Sequence, residues 1–304
     1  MAFYITTPIY YVNDVPHIGH AYTTIACDIF SRFHKLNGDD TFFLTGTDEH
    51  GQKVEKASLS QNKDTQIFVD EMSENFRNLI PYLGCEIDDF IRTTENRHKR
   101  AAQHLWNKLK DNNQIYLSNY QGWYSIRDEA FYQESELTKT DKGFVAPSGA
   151  SVEWVKEESY FFKLSEWENK LIDFYENNKE AILPQSRFNE VMSFIKGGLK
   201  DLSISRTTFK WGINVPDENN HIMYVWIDAL CNYITALDYP EINKNFKKFW
   251  PGIHIVGKDI LRFHAVYWPA FLMAAGIEPP KKIFAHGWWT NEGQKISKSL
   301  GNVI

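Results

Sequence analysis

The sequence predicts an α/β protein: a doubly wound parallel sheet of the Rossmann-like type that carries a β-rich insertion. Three observations support this prediction. Strand-like and helix-like segments alternate over residues 3–110, short aromatic runs with glycine replace them over residues 116–162, and the alternation returns over residues 204–286. Alternation at this spacing requires right-handed crossovers and therefore parallel strands. We predict two halves of one α/β domain, residues 1–112 and 201–304, separated by an insertion with flanking helices at residues 113–200.

The first half begins with a strand at residues 3–7, followed by a long helix. Apolar residues recur at intervals of three or four from Ile18 to Leu36, and Gly38 stands where the helix should end. The remaining predicted elements of this half are a strand at residues 41–45 and helices at residues 64–80 and 95–110. Together these elements predict the first crossovers of the parallel sheet.

The insertion is predicted from a change in composition. Residues 116–162 are rich in aromatic residues, with turn-like TDKG and APSG segments at residues 140–143 and 146–149. Helices are predicted at residues 165–177 and 186–196, and the glycine pair at residues 197–198 marks the return to the sheet. The second half is predicted as strands at residues 204–206, 253–256 and 283–286 and helices at residues 226–237 and 259–275.

Composition narrows the class of protein. The chain has 304 residues, 43% of them hydrophobic and 24% charged, and a net charge of −6, which argues against nonspecific nucleic-acid binding but leaves a folded RNA possible as a partner. The longest apolar run, residues 265–277, contains Pro269 and indicates a buried helix, so no membrane association is expected. Cys27, Cys85 and Cys231 are scattered and odd in number, and no signal peptide is apparent, so a cytoplasmic protein is expected.

Two short motifs stand at opposite ends of this pattern: HIGH at residues 17–20 and KISKS at residues 295–299. Either alone is typical of capping histidines or of a solvated loop. Two imidazoles three residues apart lie on one face of a helix's first turn, where free backbone N–H groups favour anions. Gly19 would let a flat ligand approach the backbone, and Lys295 and Lys298 supply mobile positive charges. The pair could hold a triphosphate and stabilise a departing pyrophosphate.

These motifs resemble the two signatures of class I aminoacyl-tRNA synthetases. The segments TPIYYVN at residues 7–13 and GTDEHG at residues 46–51 resemble the methionyl-tRNA synthetase family in particular, and the similarity runs from residue 3 to the last residue. The resemblance implies that methionine, ATP with Mg²⁺ and tRNA are the substrates, and that the protein is a monomer. Methionine would be activated to methionyl-adenylate and transferred to the 3′ end of its tRNA.

Alternatives remain at this point. Another class I synthetase or a related nucleotidyltransferase would share both motifs, and a non-catalytic tRNA-binding relative is an alternative from another functional class. The presence of Tyr11, Trp226 and His264 argues against synthetases for aliphatic amino acids. Intact His17 and His20, together with the second lysine of KISKS, argue against a non-catalytic protein.

The resemblance also implies a set of site residues. The catalytic residues would be His17, His20, Lys295 and Lys298. The ATP-binding residues would be Asn13, Gly19, Asp259, His286, Gly287 and Ser297. The methionine-binding residues would be Ile9, Tyr11, Asp48, Trp226, Ala229, Leu230, Tyr233, Ile260, Phe263 and His264. Asp48 would pair with the amino group of methionine, and Arg206 and Asp259 would form a supporting ion pair.

The sequence departs from the family in three respects. The family often has proline at the position of Leu230, which bears on the shape of the pocket. Many relatives carry a cysteine-rich zinc knuckle in the insertion, but residues 116–162 contain neither cysteine nor histidine, so a zinc-free protein is expected. The helical anticodon-binding domain of the family has no counterpart in these residues. On spacing alone, the aromatic stripe of the helix at residues 226–237 would be ordinary core.

Overall fold

The computed structural model describes residues 1–141, 143–287, 290–291 and 294–295. In chain order the strands are β1 (Ala2–Thr6), β2 (Tyr10–Tyr11), β3 (Asp40–Asp48), β4 (Asp89–Arg92), β5 (Ile115–Ser125), β6 (Ala130–Tyr132), β7 (Thr138–Thr140), β8 (Gly143–Val145), β9 (Glu153–Phe162), β10 (Ile182–Leu183), β11 (Leu202–Ser203), β12 (Ser205–Arg206), β13 (Ile222–Met223), β14 (Ile253–Gly257), β15 (Lys282–His286), β16 (Thr290–Asn291) and β17 (Gln294–Lys295).

The α-helices are α1 (Ile18–Leu36), α2 (Gln52–Ser60), α3 (Thr65–Tyr82), α4 (Asn96–Asp111), α5 (Glu168–Asn177), α6 (Gln185–Lys196), α7 (Val225–Leu230), α8 (Asn232–Thr235), α9 (Lys244–Phe249) and α10 (Trp268–Ala274). Helices α1, α3, α4 and α6 lie within two residues of their predicted bounds. Helix α2 and strand β4 were not predicted. None of the helices among the described residues is both long and apolar enough to span a membrane.

A parallel sheet of seven strands forms the centre of the molecule, as predicted. Its order is β10-β15-β14-β1-β3, and β3 also pairs with the short strands β2 and β4. Strand β1 pairs with β3 on one side and with β14 on the other. The first half of the chain therefore extends the sheet in one direction from β1 and the second half extends it in the other, so β1 lies at the switch point. In such sheets the crevice beyond the carboxyl ends of the strands binds ligands.

Helix α1 differs from expectation in the direction of its apolar stripe. Ile29 and Phe33, whose spacing predicted the helix, are 59% and 57% exposed, whereas the residues that α1 buries against the sheet include Thr24, Cys27 and Ser31. Periodicity therefore predicted the helix correctly, but small side chains form its packing face because they let the helix lie close to the strands.

The insertion is rich in β-strands, as predicted: β9, β5 and β6 form an antiparallel sheet with β11, which follows the predicted insertion, in the order β11-β9-β5-β6, and β7 and β8 form a separate hairpin. Two assignments differ from the prediction. The predicted strand at residues 204–206 is not part of the parallel sheet, because β12 pairs with β13 in an antiparallel ribbon. Strand β10, within the predicted insertion, instead pairs with β15 of the parallel sheet.

The two long helices predicted in the second half are both interrupted. At residues 226–237, α7 and α8 are separate because the Asn232 side chain donates a hydrogen bond to Ala229 O and competes with the helical ladder. Residues 259–275 form a 3₁₀ turn, a π-helix (Phe263–Tyr267) and α10. Pro269 lacks an N–H, and the Tyr175 hydroxyl donates to Ala265 O at 2.6 Å instead.

Candidate active site

The two histidines of the first motif begin α1 and cap it. His17 is the N-cap residue, and its Nδ1 accepts from Gly19 N at 3.1 Å, while His20 Nδ1 accepts from His17 N at 3.1 Å. The rings stack with centroids 3.8 Å apart. Because each Nδ1 accepts a hydrogen bond from a backbone N–H, the ring proton must be on Nε2. Capping thus gives both imidazoles an Nε2–H donor, which suits a phosphate oxygen.

Two predicted ATP residues, Asp259 in the turn after β14 and His286 at the end of β15, lie beside this cap. Gly257 and His286 pair at the carboxyl ends of the two strands, and a Cβ on Gly257 would lie 2.6 Å from Asp259 Oδ1. His286 Nε2 lies 3.0 Å from the Thr23 hydroxyl in the second turn of α1. The structure therefore brings Asp259, His286 and the HIGH motif together at the switch point. Gly287 follows and is exposed.

Asp48 ends β3 and is buried, with 7% of its surface exposed. It is paired in the sheet with Tyr11 of β2, as two residues of one predicted pocket should be. Burial raises the pKa of Asp48 well above its ordinary value, and the negative charges of Asp228 and Glu129 raise it further. Its Oδ1 is buried without a hydrogen-bond partner among the described residues. A buried, unpaired carboxylate oxygen suits a cationic ligand group, because such a group would satisfy it.

The backbone after Asp48 is fixed by contacts of Glu49 with two other segments of the chain. Arg92 forms a bidentate ion pair with buried Glu49, with Nε–Oε1 and Nη2–Oε2 distances of 2.6 and 2.9 Å. The Trp211 indole N–H donates to Glu49 O at 2.6 Å. These contacts fix the backbone that carries Asp48.

A buried cluster that the sequence analysis did not identify links this loop to α7. His50 Nδ1 and His98 Nε2 lie 2.7 and 2.8 Å from the two carboxylate oxygens of Asp228. Burial alone would raise the pKa of Asp228, but His50 and His98 outweigh it and lower that pKa to about 2. His50 thus serves as a partner of Asp228. The sequence did offer one signal for this cluster, an aspartate within the apolar run of α7. Because buried carboxylates are rarely unpaired, such an aspartate indicates that a partner lies nearby in the fold.

Aromatic side chains of the predicted methionine pocket contact one another. Trp226 and Phe263 stack with centroids 3.8 Å apart and 8° between planes, and the His264 ring lies edge-on to Trp226. The Trp226 indole N–H is buried without a partner among the described residues, and is thus available to a ligand. Tyr233 OH lies 2.7 Å from His264 Nε2, and His264 Nδ1 lies 2.9 Å from Ile260 O. Burial lowers the pKa of His264 to about 4.

The insertion reaches this pocket through Glu129, which was also not predicted. Glu129 follows β5 and is buried, and its Oε1 accepts from Tyr11 OH at 3.1 Å and from Lys53 N at 3.3 Å. Tyr124 of β5 donates to the other oxygen. Gly51 is required nearby, because its φ is +107° and a Cβ there would lie 2.6 Å from Tyr11 OH.

The predicted ion pair between Arg206 and Asp259 is wrong. Arg206 is 2% exposed and pairs with Glu157 of β9, and its guanidinium lies over the rings of Tyr124 and Phe131 at 3.8 and 4.3 Å. Asp259 is exposed at the end of β14. The antiparallel position of β12 is the reason, since it places Arg206 inside the insertion.

Other predicted residues have less specific environments. Ile9 and Ile260 are partly buried against the main core, Ala229 and Leu230 are fully buried, and Asn13 is half-buried in the turn before α1. Leu230 packs within the main core, and its assignment to the methionine pocket stays a prediction. Lys298 and Ser297 lie outside the described residues, and of Lys295 the structure describes the backbone in β17.

No group of three or more histidine, cysteine, aspartate or glutamate side chains suited to a metal ion occurs in the described part of the chain. Cys27, Cys85 and Cys231 are buried free thiols.

Comparison with known proteins places these features in context. A family model described as tRNA synthetases class I (M) matches residues 3–304. The methionine–tRNA ligase of Rickettsia bellii is 66% identical over 303 residues, which are 99% of this chain and 59% of the relative, so the chain spans about three fifths of the length of such relatives.

Solved structures of methionyl-tRNA synthetase also match this chain. Mycobacterium tuberculosis methionyl-tRNA synthetase in complex with methionyl-adenylate matches with a TM-score of 0.97 and 48% identity, covering 100% of this chain and 60% of that one. The apo form of that enzyme matches with a TM-score of 0.81 and 47% identity, covering 94% and 56%. The chain belongs to the family of class I tRNA synthetases designated (M).

Proposed function

We propose that the protein activates methionine with ATP, forming methionyl-adenylate and pyrophosphate, and transfers the methionyl group to the 3′ end of its tRNA. The observation that carries this proposal is the buried Asp48 oxygen without a protein partner, beside Tyr11 in the sheet. An α-ammonium group would satisfy it, and the aromatic cluster of Trp226, Phe263 and His264 would receive an unbranched, polarisable side chain.

The chemistry requires positioning and charge stabilisation, and no side chain has to act as a nucleophile. A carboxylate oxygen of methionine forms a bond to the α-phosphorus of ATP, and the bond from that phosphorus to the bridging oxygen of pyrophosphate breaks. The Nε2–H groups of His17 and His20 and the N-terminus of α1 would donate to phosphate oxygens as negative charge develops. Lys298 would add a mobile positive charge, and Mg²⁺ would arrive with ATP as part of the substrate.

The conformation of the chain supports the same proposal. It is more similar to the M. tuberculosis enzyme in complex with methionyl-adenylate than to the apo form, with TM-scores of 0.97 and 0.81.

The remainder of the proposal follows from the activity. The protein would act in the cytoplasm as a monomer, with tRNA as its macromolecular partner. It would need no zinc, because residues 113–200 offer neither cysteine nor histidine to hold one.

The test is ATP–pyrophosphate exchange measured with each standard amino acid in turn. Methionine should support exchange and the others should not. Faster exchange with leucine or isoleucine would contradict the assignment, exchange independent of amino acid would indicate a nucleotidyltransferase, and no exchange would favour a non-catalytic relative. Charging of methionine tRNA is then measured separately, because it depends on contacts beyond the adenylate site.

A further inference from the structure

Asp228 is the centre of a buried hydrogen-bonded cluster that joins three segments of the chain. It is fully buried in α7, and its two carboxylate oxygens lie 2.7 Å from His50 Nδ1 and 2.8 Å from His98 Nε2. His50 follows β3, whereas His98 lies in the first turn of α4. An ionised carboxylate can only accept, so each histidine donates from the ring nitrogen that faces Asp228. The cluster therefore ties α7 both to α4 and to the segment after β3.

His50 is also linked to Asp48, through its main chain. It stands two residues after Asp48, which ends β3 and has one oxygen without a hydrogen-bond partner among the described residues. Burial and nearby carboxylates raise the pKa of Asp48, but a hydrogen bond from the His50 backbone lowers it and so favours the charged form. His50 thus contacts Asp48 with its main chain and Asp228 with its side chain.

Contacts with Trp211 fix the main chain on both sides of His50. The peptide between Glu49 and His50 accepts at its carbonyl from the Trp211 indole N–H at 2.6 Å. The Gly51 N–H donates to Trp211 O at 3.1 Å, and the His50 ring lies edge-on to the indole with centroids 5.8 Å apart. Because the main chain is held in this way, the contact with Asp228 fixes the one remaining part of His50, its side chain.

We propose that His50 is a positioning residue for the amino-group site: held by Asp228, it keeps the Asp48 carboxylate directed so that its unpaired oxygen meets the α-ammonium group of methionine. This inference rests on the proposed function, since that function gives Asp48 the amino group as its ligand. His98 holds the second oxygen of Asp228 and so keeps that carboxylate directed at His50. A carboxylate held in this way does not reorient when the ammonium group binds, so less binding free energy is lost to ordering.

The contribution of the amino group can be measured by comparing methionine with γ-(methylthio)butyrate, which is methionine without its amino group. The ratio of the Kd for this analogue to the Kd for methionine should be about 10² in the wild-type protein. In His50→Ala the ratio should fall about tenfold, because Asp48 is no longer held toward the ammonium group. His50→Asn should keep the ratio within about threefold of wild type, since asparagine Nδ2 can replace Nδ1 as the donor to Asp228.

The ratio separates positioning from support of the fold. A residue that only supports the fold would weaken the binding of both ligands equally, so an unchanged ratio in His50→Ala would overturn the inference, as would a tenfold fall in His50→Asn. His221→Ala is the matched control, because His221 is 3% exposed like His50 but contacts Ser205 beside β13. It should give the wild-type ratio, and a fall as large as in His50→Ala would indicate general loosening and overturn the inference.

Nitrogen NMR of histidine-labelled wild-type protein gives a test that does not depend on the folding of His50→Ala. The ring resonances of His50 are those absent from His50→Asn. Methionine should shift them and γ-(methylthio)butyrate should leave them nearly unchanged, because only methionine brings an ammonium group to Asp48. Equal shifts with both ligands, or none with either, would overturn the inference.

Failure of the proposed function gives a different result. If both ligands bind the wild-type protein equally well, the role proposed for Asp48 is wrong and the inference built on it falls too. If the wild-type ratio is high and His50→Ala leaves it unchanged, only the inference is wrong.

Discussion

Replacing Asp48 by asparagine tests the centre of the proposed site, because it removes a charge and keeps the shape. Asp48 is buried, and one of its oxygens has no partner among the described residues. Removing one member of a buried ion pair leaves the other charge desolvated, which costs about 3–5 kcal/mol. Because 7% of Asp48 remains exposed, we take the lower end, and about 3 kcal/mol corresponds to about a 10²-fold rise in the Kd for methionine.

Calorimetric titration with methionine measures this change directly. Asp111→Asn, an exposed aspartate at the end of α4, is the matched control and should bind methionine as the wild-type protein does. A Kd for Asp48→Asn within about threefold of wild type would refute the reasoning, since a charge-assisted hydrogen bond is worth more than that.

The pH dependence of binding gives a second measure of the same carboxylate. Burial raises the pKa of Asp48, so its charge is lost, as pH falls, above the ordinary aspartate value of about 4. Methionine binding should therefore weaken about tenfold per pH unit below that raised pKa. In Asp48→Asn this acid limb should be absent, and its persistence in the variant would assign it to another group.

Four further predictions follow. Lys298→Ala should slow adenylate formation by about 10²–10³ and leave the Kd for methionine nearly unchanged; single-turnover kinetics that showed the reverse would overturn its role. Denaturant unfolding should give a loss of about 2–5 kcal/mol for buried Leu105→Ala but less than about 0.5 kcal/mol for Phe33→Ala, and a large loss for Phe33 would mean that the exposed stripe of α1 is packed. Burial lowers the pKa of His264 to about 4, so between pH about 6.5 and about 4 the unfolded chain binds a proton that the folded chain does not. The free energy of unfolding should therefore fall by about 3 kcal/mol as the pH drops from about 6.5 to about 4, and in His264→Gln this part of the pH dependence should be lost. Elemental analysis of dialysed protein should find no stoichiometric zinc, and one zinc per chain would contradict the zinc-free expectation.

Several parts of the site could be predicted before the structure was known. The HIGH motif, Asp48 and the strands that carry them follow from local pattern, because a buried strand followed by a turn and a helix places its last residues at the carboxyl edge of the sheet. The contact between His286 and Thr23 of α1 agrees with that placement. Resemblance to the family then assigned roles to these residues that spacing alone could not.

Other parts depend on contacts between residues far apart in the chain. Arg206 was assigned the wrong partner because nothing in its local sequence indicates that β12 lies against β9, where Glu157 is located. Glu129 and the His98–Asp228 pair were missed for the same reason, since the Glu129–Tyr11 and His98–Asp228 contacts span 118 and 130 residues. Such contacts carry no periodic signal.

The sequence by itself determined the order of the elements and the identity of the two motifs, because helix and strand periods and turn residues are local properties of the chain. Tertiary structure decided which face of α1 is buried, which carboxylate pairs with Arg206, and that one oxygen of Asp48 has no hydrogen-bond partner among the described residues. The physical reason is that burial and pairing are set by the whole packed surface around a side chain. A hydrophobic period indicates that a helix forms, but the close approach of α1 to the sheet selects Thr24, Cys27 and Ser31 for its inner face.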